Sequence, residues 1–215
     1  MTIYAILSDV HGRTSALQSV LDDARQHGAT AFIALGDIGT DPCYNLLREV
    51  DAQSTFGNYE VSGWDKLAPE NQQWVLSLPA VLIGDTFLAA HAAPYFPTGV
   101  ADVHQVLDYL LERQVKWQAL FPNLAEDEHA RWLTFAELEA RDKRVFFHGH
   151  THLQRAWRVG PDNAMTSIQD DVIDLETSSR YIIGVGSIIL PVEERWSRYA
   201  LYDSTAGQVE LHKVS

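Results

Sequence analysis

Over residues 3–56, short apolar runs alternate with amphipathic stretches, and few architectures satisfy that order. Ile3–Leu7, Ala31–Leu35 and Gln53–Phe56 read as strands. Arg13–His27 reads as a helix with Leu17, Val20, Leu21 and Ala24 on one face, and Tyr44–Val50 as a shorter helix. A strand that is apolar at every position is buried on both faces, so it needs a layer on each side. The βαβαβ order therefore predicts parallel strands between layers, an α/β class. The 215 residues, 46% of them hydrophobic, suffice for one domain with a sizeable core.

Farther along, a loop is expected after Gly57, then a helix near Glu70–Leu78 that stops at Pro79. Ala80–Ile83 and Phe87–Ala90 flank Gly84-Asp85 as a hairpin. Asp102 is placed to cap a helix with Val103, Val106, Leu107, Leu110 and Leu111 on one face. Thr134-Phe135-Ala136-Glu137 fits a capping box for another. Residues 100–142 thus read as a mainly helical insertion within a single domain spanning 1–215. Strands follow at Val145–Phe147, Arg155–Val159, Val172–Leu175, Tyr181–Val185 and Arg198–Tyr202.

Several classes are excluded. The single cysteine, Cys43, forms no internal disulfide and fits a reducing compartment. The first residues lack the basic lead-in and small-residue cleavage site of a signal peptide. The longest apolar stretch, Tyr181–Val192, is too short to span a bilayer. A cytoplasmic, soluble protein without a membrane partner is expected. The net charge of −13 argues against a standing nucleic-acid partner, which requires basic surface. It leaves room for a small phosphorylated substrate, because bound cations supply local positive charge.

Five signatures each follow an apolar strand: Asp9-Val10-His11, Gly36-Asp37, Gly57-Asn58, His91 and Gly149-His150-Thr151-His152. The crevice beyond strand ends is where open α/β sheets bind ligands. Asp9 and His11 are two apart, as are His150 and His152, so in extended chain each pair points one way. Taken singly, each has an ordinary explanation as a turn, a surface histidine or a core histidine. Five in order at strand ends do not. The donors are two carboxylates, one amide oxygen and four imidazoles, with no thiolate. This set suits two divalent first-row ions better than a structural zinc site.

The series resembles the calcineurin-like metallophosphoesterases, whose pattern is D-x-H, G-D, G-N-H-[DE], H and G-H-x-H, and it covers nearly the whole chain. It is most similar to the small branch with YfcE-type phosphodiesterases and diadenosine tetraphosphatase-like proteins. Gly36-Asp37-Ile38 with Asp41-Pro42, and Gly186-Ser187 followed by a strand, also look like that branch. The resemblance implies a four-layer α/β/β/α sandwich whose second sheet comes largely from the C-terminal strands. It implies one metal on Asp9, His11, Asp37 and His152. The other would take Asp37, Asn58, His91 and His150, with Asp37 bridging. Manganese, iron, zinc or nickel would serve. Hydroxide generated between the ions would attack phosphorus in line with the leaving group. Asn58 would also touch a phosphate oxygen.

One position departs from the pattern. Tyr59 stands where the family has histidine, in Gly57-Asn58-Tyr59-Glu60. The family histidine is implied to protonate the leaving oxygen, and a phenol, with an ordinary pKa of about 10, is a weaker acid near neutrality. Arg13 is either a phosphate contact or a solvated first-turn residue. His148 is open between a core position and substrate contact. His27, His104, His129 and His212 read as surface residues. The tryptophans read as packing residues, and Trp117, Phe121, Trp132 and Phe135 as a lid or a contact in a homo-oligomer.

The expectation is a dimetal phosphoesterase, a diesterase acting on a small phosphodiester or nucleotide-type substrate. The alternatives are a phosphomonoesterase or protein phosphatase, for which histidine at 59 would have argued, and a non-catalytic scaffold of the same fold.

Overall fold

The structure is a computed structural model that describes residues 2–189 and 196–215. The last three residues of the apolar stretch 181–192 lie outside it. Twelve strands form two six-stranded sheets. The first takes β1 (Ile3–Leu7), β2 (Ala31–Ala34), β3 (Gln53–Ser54), β9 (Val172–Asp174), β11 (Ser197–Asp203) and β12 (Gln208–Val214) in the order β3-β2-β1-β11-β12-β9. The second takes β4 (Leu82–Ile83), β5 (Phe87–Ala90), β6 (Val145–His148), β7 (Gln154–Val159), β8 (Met165–Ile168) and β10 (Arg180–Val185) in the order β4-β5-β6-β10-β7-β8. The C-terminal strands are therefore divided, since β9, β11 and β12 complete the first sheet.

The predicted parallel pairs are present. β1 pairs with β2, and β2 with β3, in parallel. In the second sheet β5, β6 and β10 are parallel neighbours. Strand alternation separates three cores. Ile6, Ile33, Ala89, Phe147, Ile183 and Ala200 meet between the sheets. On the outer face of the first sheet, Ala5, Leu7, Ala34, Tyr199 and Leu201 meet α1 (Thr14–Gln26) and α2 (Asp41–Glu49). On the outer face of the second, Leu88, Phe146 and Ile182 meet Ala130, Phe135 and Leu138 of α6 (Glu128–Ala140). These are the four layers α/β/β/α.

α1 buries Leu17, Val20, Leu21 and Ala24, the face read from the sequence. α4 spans Pro69–Leu76. α5 (Val103–Arg113) is capped by Asp102, whose side chain accepts from the Gln105 N–H at 2.8 Å. It buries Val103 and Val106 but leaves Leu111 exposed.

Three local expectations are corrected. The capping box at Thr134–Glu137 does not start a helix, because α6 begins earlier, at an Asp127 cap that accepts from Ala130 N–H. Thr134 lies inside α6 and donates its hydroxyl to the Ala130 carbonyl. The loop after Gly57 is instead a short helix, α3 (Asn58–Gly63). Phe135 is buried under α6 and is unavailable to a lid or a partner. Among the described residues, no helix is long and apolar enough to cross a membrane.

Candidate metal centre

All five signatures lie beyond the C-terminal ends of parallel strands, on one edge of the sandwich. Backbone bonds tie the loops together: Asp9 N–H donates to Gly36 O, His11 N–H to Asp37 O, and Gly149 N–H to His91 O. The loop at Gly186-Ser187 supports Asp9 from behind, with Ile188 and Ile189 N–H groups donating to Ser8 and Asp9 carbonyls.

The side chains converge, though not by the extended geometry expected. Asp9, His11, Asp37, His150 and His152 all have left-handed backbone, with φ between 46° and 61°. Non-glycine residues adopt this region at a cost, and the surrounding bonds must hold them there. Two glycines make room. A Cβ on Gly57 would collide with Asp37 Oδ1 and lie 2.9 Å from His91 Nδ1, and one on Gly149 would strike Ser8 and approach Asp9 Oδ2 to 2.6 Å.

At this edge, two triads sharing Asp9 have ligand atoms within 4.8 Å of one another: Asp9, His11 and His152, and Asp9, Asp37 and His91. Asp37 turns one oxygen to each half, with Oδ2 3.8 Å from His11 Nε2 and Oδ1 3.6 Å from His91 Nε2. Asn58 Oδ1 is 3.2 Å from His91 Nε2. The His150 ring lies 5.0 Å from that of His91, and its backbone N–H donates to Asp9 Oδ2.

The donor chemistry fits cations. His91 Nδ1–H donates to the Leu35 carbonyl at 2.8 Å, which orients the ring so that Nε2 faces the oxygens of Asn58 and Asp37. His11 Nε2 faces His152 Nε2 at 3.4 Å. Asp9 Oδ1 is fully buried without a hydrogen-bond partner among the described residues, although His152 Nε2 is 3.2 Å away. A buried carboxylate oxygen without a hydrogen-bond partner, ringed by imidazole nitrogens, suits a bound cation.

Burial pushes Asp9 up, but the adjacent His152 and the charge of His91 pull harder and hold it at about 2. Burial drives Asp37 the other way, upward; His91 opposes the rise, and the Glu60 and Asp9 carboxylates add to it. Burial, with His91 alongside, lowers His150 to about 4, and burial also lowers His11. His152 is raised by its contact with Asp9.

Tyr59 sits at the mouth, 48% exposed, its ring edge-on to His11 at 4.8 Å. Its backbone N–H donates to Asp37 Oδ1 at 2.8 Å. Arg13 is exposed just before α1, and no hydrogen bond or ion pair among the described residues fixes its guanidinium. His148 is buried on β6 between Phe146 and Trp157, so it belongs to the core. Phe121 walls the site, 5.7 Å from His91 and 6.1 Å from His150.

Sequence reasoning missed Glu60 as an organiser. It is 1% exposed and points inward, away from the mouth. Its carboxylate accepts from the N–H groups of Asp37, Ile38 and Gly57 and from the Tyr44 hydroxyl, at 2.6–2.9 Å. It therefore braces the two loops that carry Asp37 and Asn58, and it has no capacity left to orient a ring at position 59. An acidic residue three after a glycine that opens a helix is the signal that could have found it.

The family model for the calcineurin-like phosphoesterase superfamily domain matches residues 1–205. An uncharacterised protein of Methanocaldococcus jannaschii is 24% identical over 243 residues, covering 99% of this chain and 87% of that one. A solved metallophosphoesterase from Sphaerobacter thermophilus is 25% identical with a TM-score of 0.72, covering 100% of this chain and 89% of its own. A structure described as a novel archaeal phosphodiesterase shares the fold at 14% identity and TM-score 0.53, covering 99% of this chain and all of its own.

Proposed function

This chain belongs to the calcineurin-like phosphoesterase superfamily, and we propose that it is a dimetal phosphodiesterase acting on a small phosphodiester or nucleotide-type substrate. The observation that carries this is the convergence of Asp9, His11, Asp37, Asn58, His91, His150 and His152 at one edge of the sandwich, where Asp9 Oδ1 is buried without a hydrogen-bond partner among the described residues. Asp9, His11, Asp37 and His152 would hold one divalent ion, and Asp37, Asn58, His91 and His150 the other. Such ions, Mn²⁺ or a similar first-row cation, supply an activated water and neutralise the phosphoryl oxygens.

The chain's own residues do the rest. Glu60 fixes the Asp37 and Gly57 backbones so that both oxygens of Asp37 reach the centre. His91 is held in one tautomer by Leu35 O. Phe121 excludes water from the His91 and His150 side. Arg13, exposed at the start of α1, can swing to a phosphate oxygen.

The preference for diesters rests on position 59. No imidazole stands there to protonate a leaving alkoxide, and Glu60 is fully engaged elsewhere. Esters with good leaving groups need that proton least, and general acid catalysis is worth about 10²–10⁴-fold. The retained donor set argues against a scaffold role.

The test is the hydrolysis of aryl phosphodiesters, aryl monoesters and nucleotide diesters by the Mn²⁺-loaded protein. Diesters should lead, with kcat falling steeply as leaving-group pKa rises. Tyr59→His should leave that slope unchanged, because nothing orients the new ring. Faster turnover of alkyl monoesters than of aryl diesters would overturn the reading.

A further inference from the structure

The far edge of the sandwich holds a second cluster of imidazoles and carboxylates. α1 starts three residues after His11 and ends roughly 20 Å away at 1.5 Å per residue. Asp23 and His27, four apart near that end, share one helix face. β12 crosses below, and its alternation turns Glu210 and His212 to the same side. That side faces α1, since their cross-strand partners Leu201 and Tyr199 belong to the α1 core.

The distances are short. Ligand atoms of Asp23, His27 and His212 lie within 4.8 Å of one another. His27 Nδ1 is 3.5 Å from Asp23 Oδ2, and His212 Nε2 is 3.3 Å from Glu210 Oε2. The two imidazoles meet edge to face with centroids 4.7 Å apart. His27 is exposed, as expected from the sequence, whereas His212 is largely buried beneath it. His27 Nδ1–H donates to the Asp23 carbonyl oxygen at 2.9 Å, which leaves its other nitrogen free.

Supporting contacts are already in place. The Tyr199 hydroxyl donates to Asp23 Oδ2 at 2.7 Å and orients that carboxylate. Gln154 binds the backbone carbonyls of both Tyr199 and His212, fixing the register of β11 and β12 beneath the cluster. Nearby cations are committed elsewhere, Arg25 to Asp22 and Lys213 to Asp171.

We propose that Asp23, His27, Glu210 and His212 form a further divalent-metal site, of the two-imidazole, two-carboxylate type that suits Zn²⁺, clamping the end of α1 to β12. The site is independent of the phosphoesterase reading. Its partly exposed ligands let an ion enter and leave, so the clamp would respond to free metal.

The experiment loads metal-free full-length protein with Zn²⁺ alone, removes excess ion and counts bound zinc in the wild type and in the His27→Ala, His212→Ala double variant. The wild type should hold one more equivalent than the variant, whatever the occupancy of the first centre. Zn²⁺ at a hundredfold excess over its Kd should raise the wild-type Tm by on the order of 5–10 °C through this site. Tyr199→Phe should weaken the extra equivalent by about 10–100-fold, as loss of a ligand-orienting bond does. Should the double variant fold poorly, imidazole NMR signals of wild-type His27 and His212 decide the matter. They should shift together with one equivalent. Equal zinc counts in wild type and variant, or His27 and His212 signals that do not move at saturating Zn²⁺, would overturn the proposal.

Discussion

Nine non-glycine residues among those described have positive φ, and they fall into two groups. Asp51, Gln114, Asp142 and Asn163 sit just past helices or in the β7–β8 turn. There a left-handed residue satisfies helix-end carbonyls, and aspartate and asparagine tolerate it best. Asp9, His11, Asp37, His150 and His152 all sit in the candidate metal centre, and three of them are histidines. The first group follows local rules that act in any protein. The second is imposed by the bonds between loops, by Glu60 and by the glycines at 57 and 149. Among the described residues, left-handed backbone imposed by contacts between distant loops is thus concentrated where side chains must converge.

The largest effect that sharpens this contrast is expected from Asp37→Ala. It removes a carboxylate that turns one oxygen to each half of the centre, so phosphodiester hydrolysis should fall by more than the roughly 10²–10³-fold typical of one lost electrostatic contact. Steady-state kinetics at fixed metal loading checks this. Next comes Glu60→Ala, which strands three buried N–H groups and a hydroxyl. Urea unfolding should show a loss on the order of 3 kcal/mol or more. Activity should fall even in the folded fraction, as Asp37 loses its brace.

The third concerns pH. Burial lowers His148 to about 4 from its ordinary 6.5, so the folded state prefers the neutral ring. That contribution is complete above pH 6.5 and is lost as pH falls toward 4, amounting to roughly 3 kcal/mol at 1.36 kcal/mol per unit. Metal-free His148→Gln protein should show a shallower loss of stability between pH 6.5 and 4 than the wild type does. Parallel curves would remove His148 from the account. The smallest effect belongs to the helix-end group: Gln114→Gly at the end of α5 should gain up to about 1 kcal/mol with activity unchanged.

What the sequence made legible follows the same division. The continuous apolar runs of β1, β2, β5, β6 and β10, the buried face of α1 and the Asp102 cap are all local patterns, and all were readable. So was the ordered set of donors, since each ends a strand. β12 was not read, because its apolar Val209 and Leu211 alternate with Glu210 and His212 at the very end of the chain. The start of α6 was misplaced because Thr134–Glu137 mimics a cap, whereas Asp127 caps without the partner glutamate. The left-handed backbone of the site, the inward aim of Glu60 and the pairing of Asp23 and His27 with β12 depend on contacts between distant segments. No local pattern records them.

The most direct test of the central claim is a titration of metal-stripped protein with Mn²⁺, following hydrolysis of an aryl phosphodiester. The stripped chain should be inactive, activity should rise to a plateau near two equivalents bound at the Asp37 centre, and Asp37→Ala should gain nothing across the same range. Full activity in the stripped chain, or an Asp37→Ala curve that overlays the wild type, would contradict it.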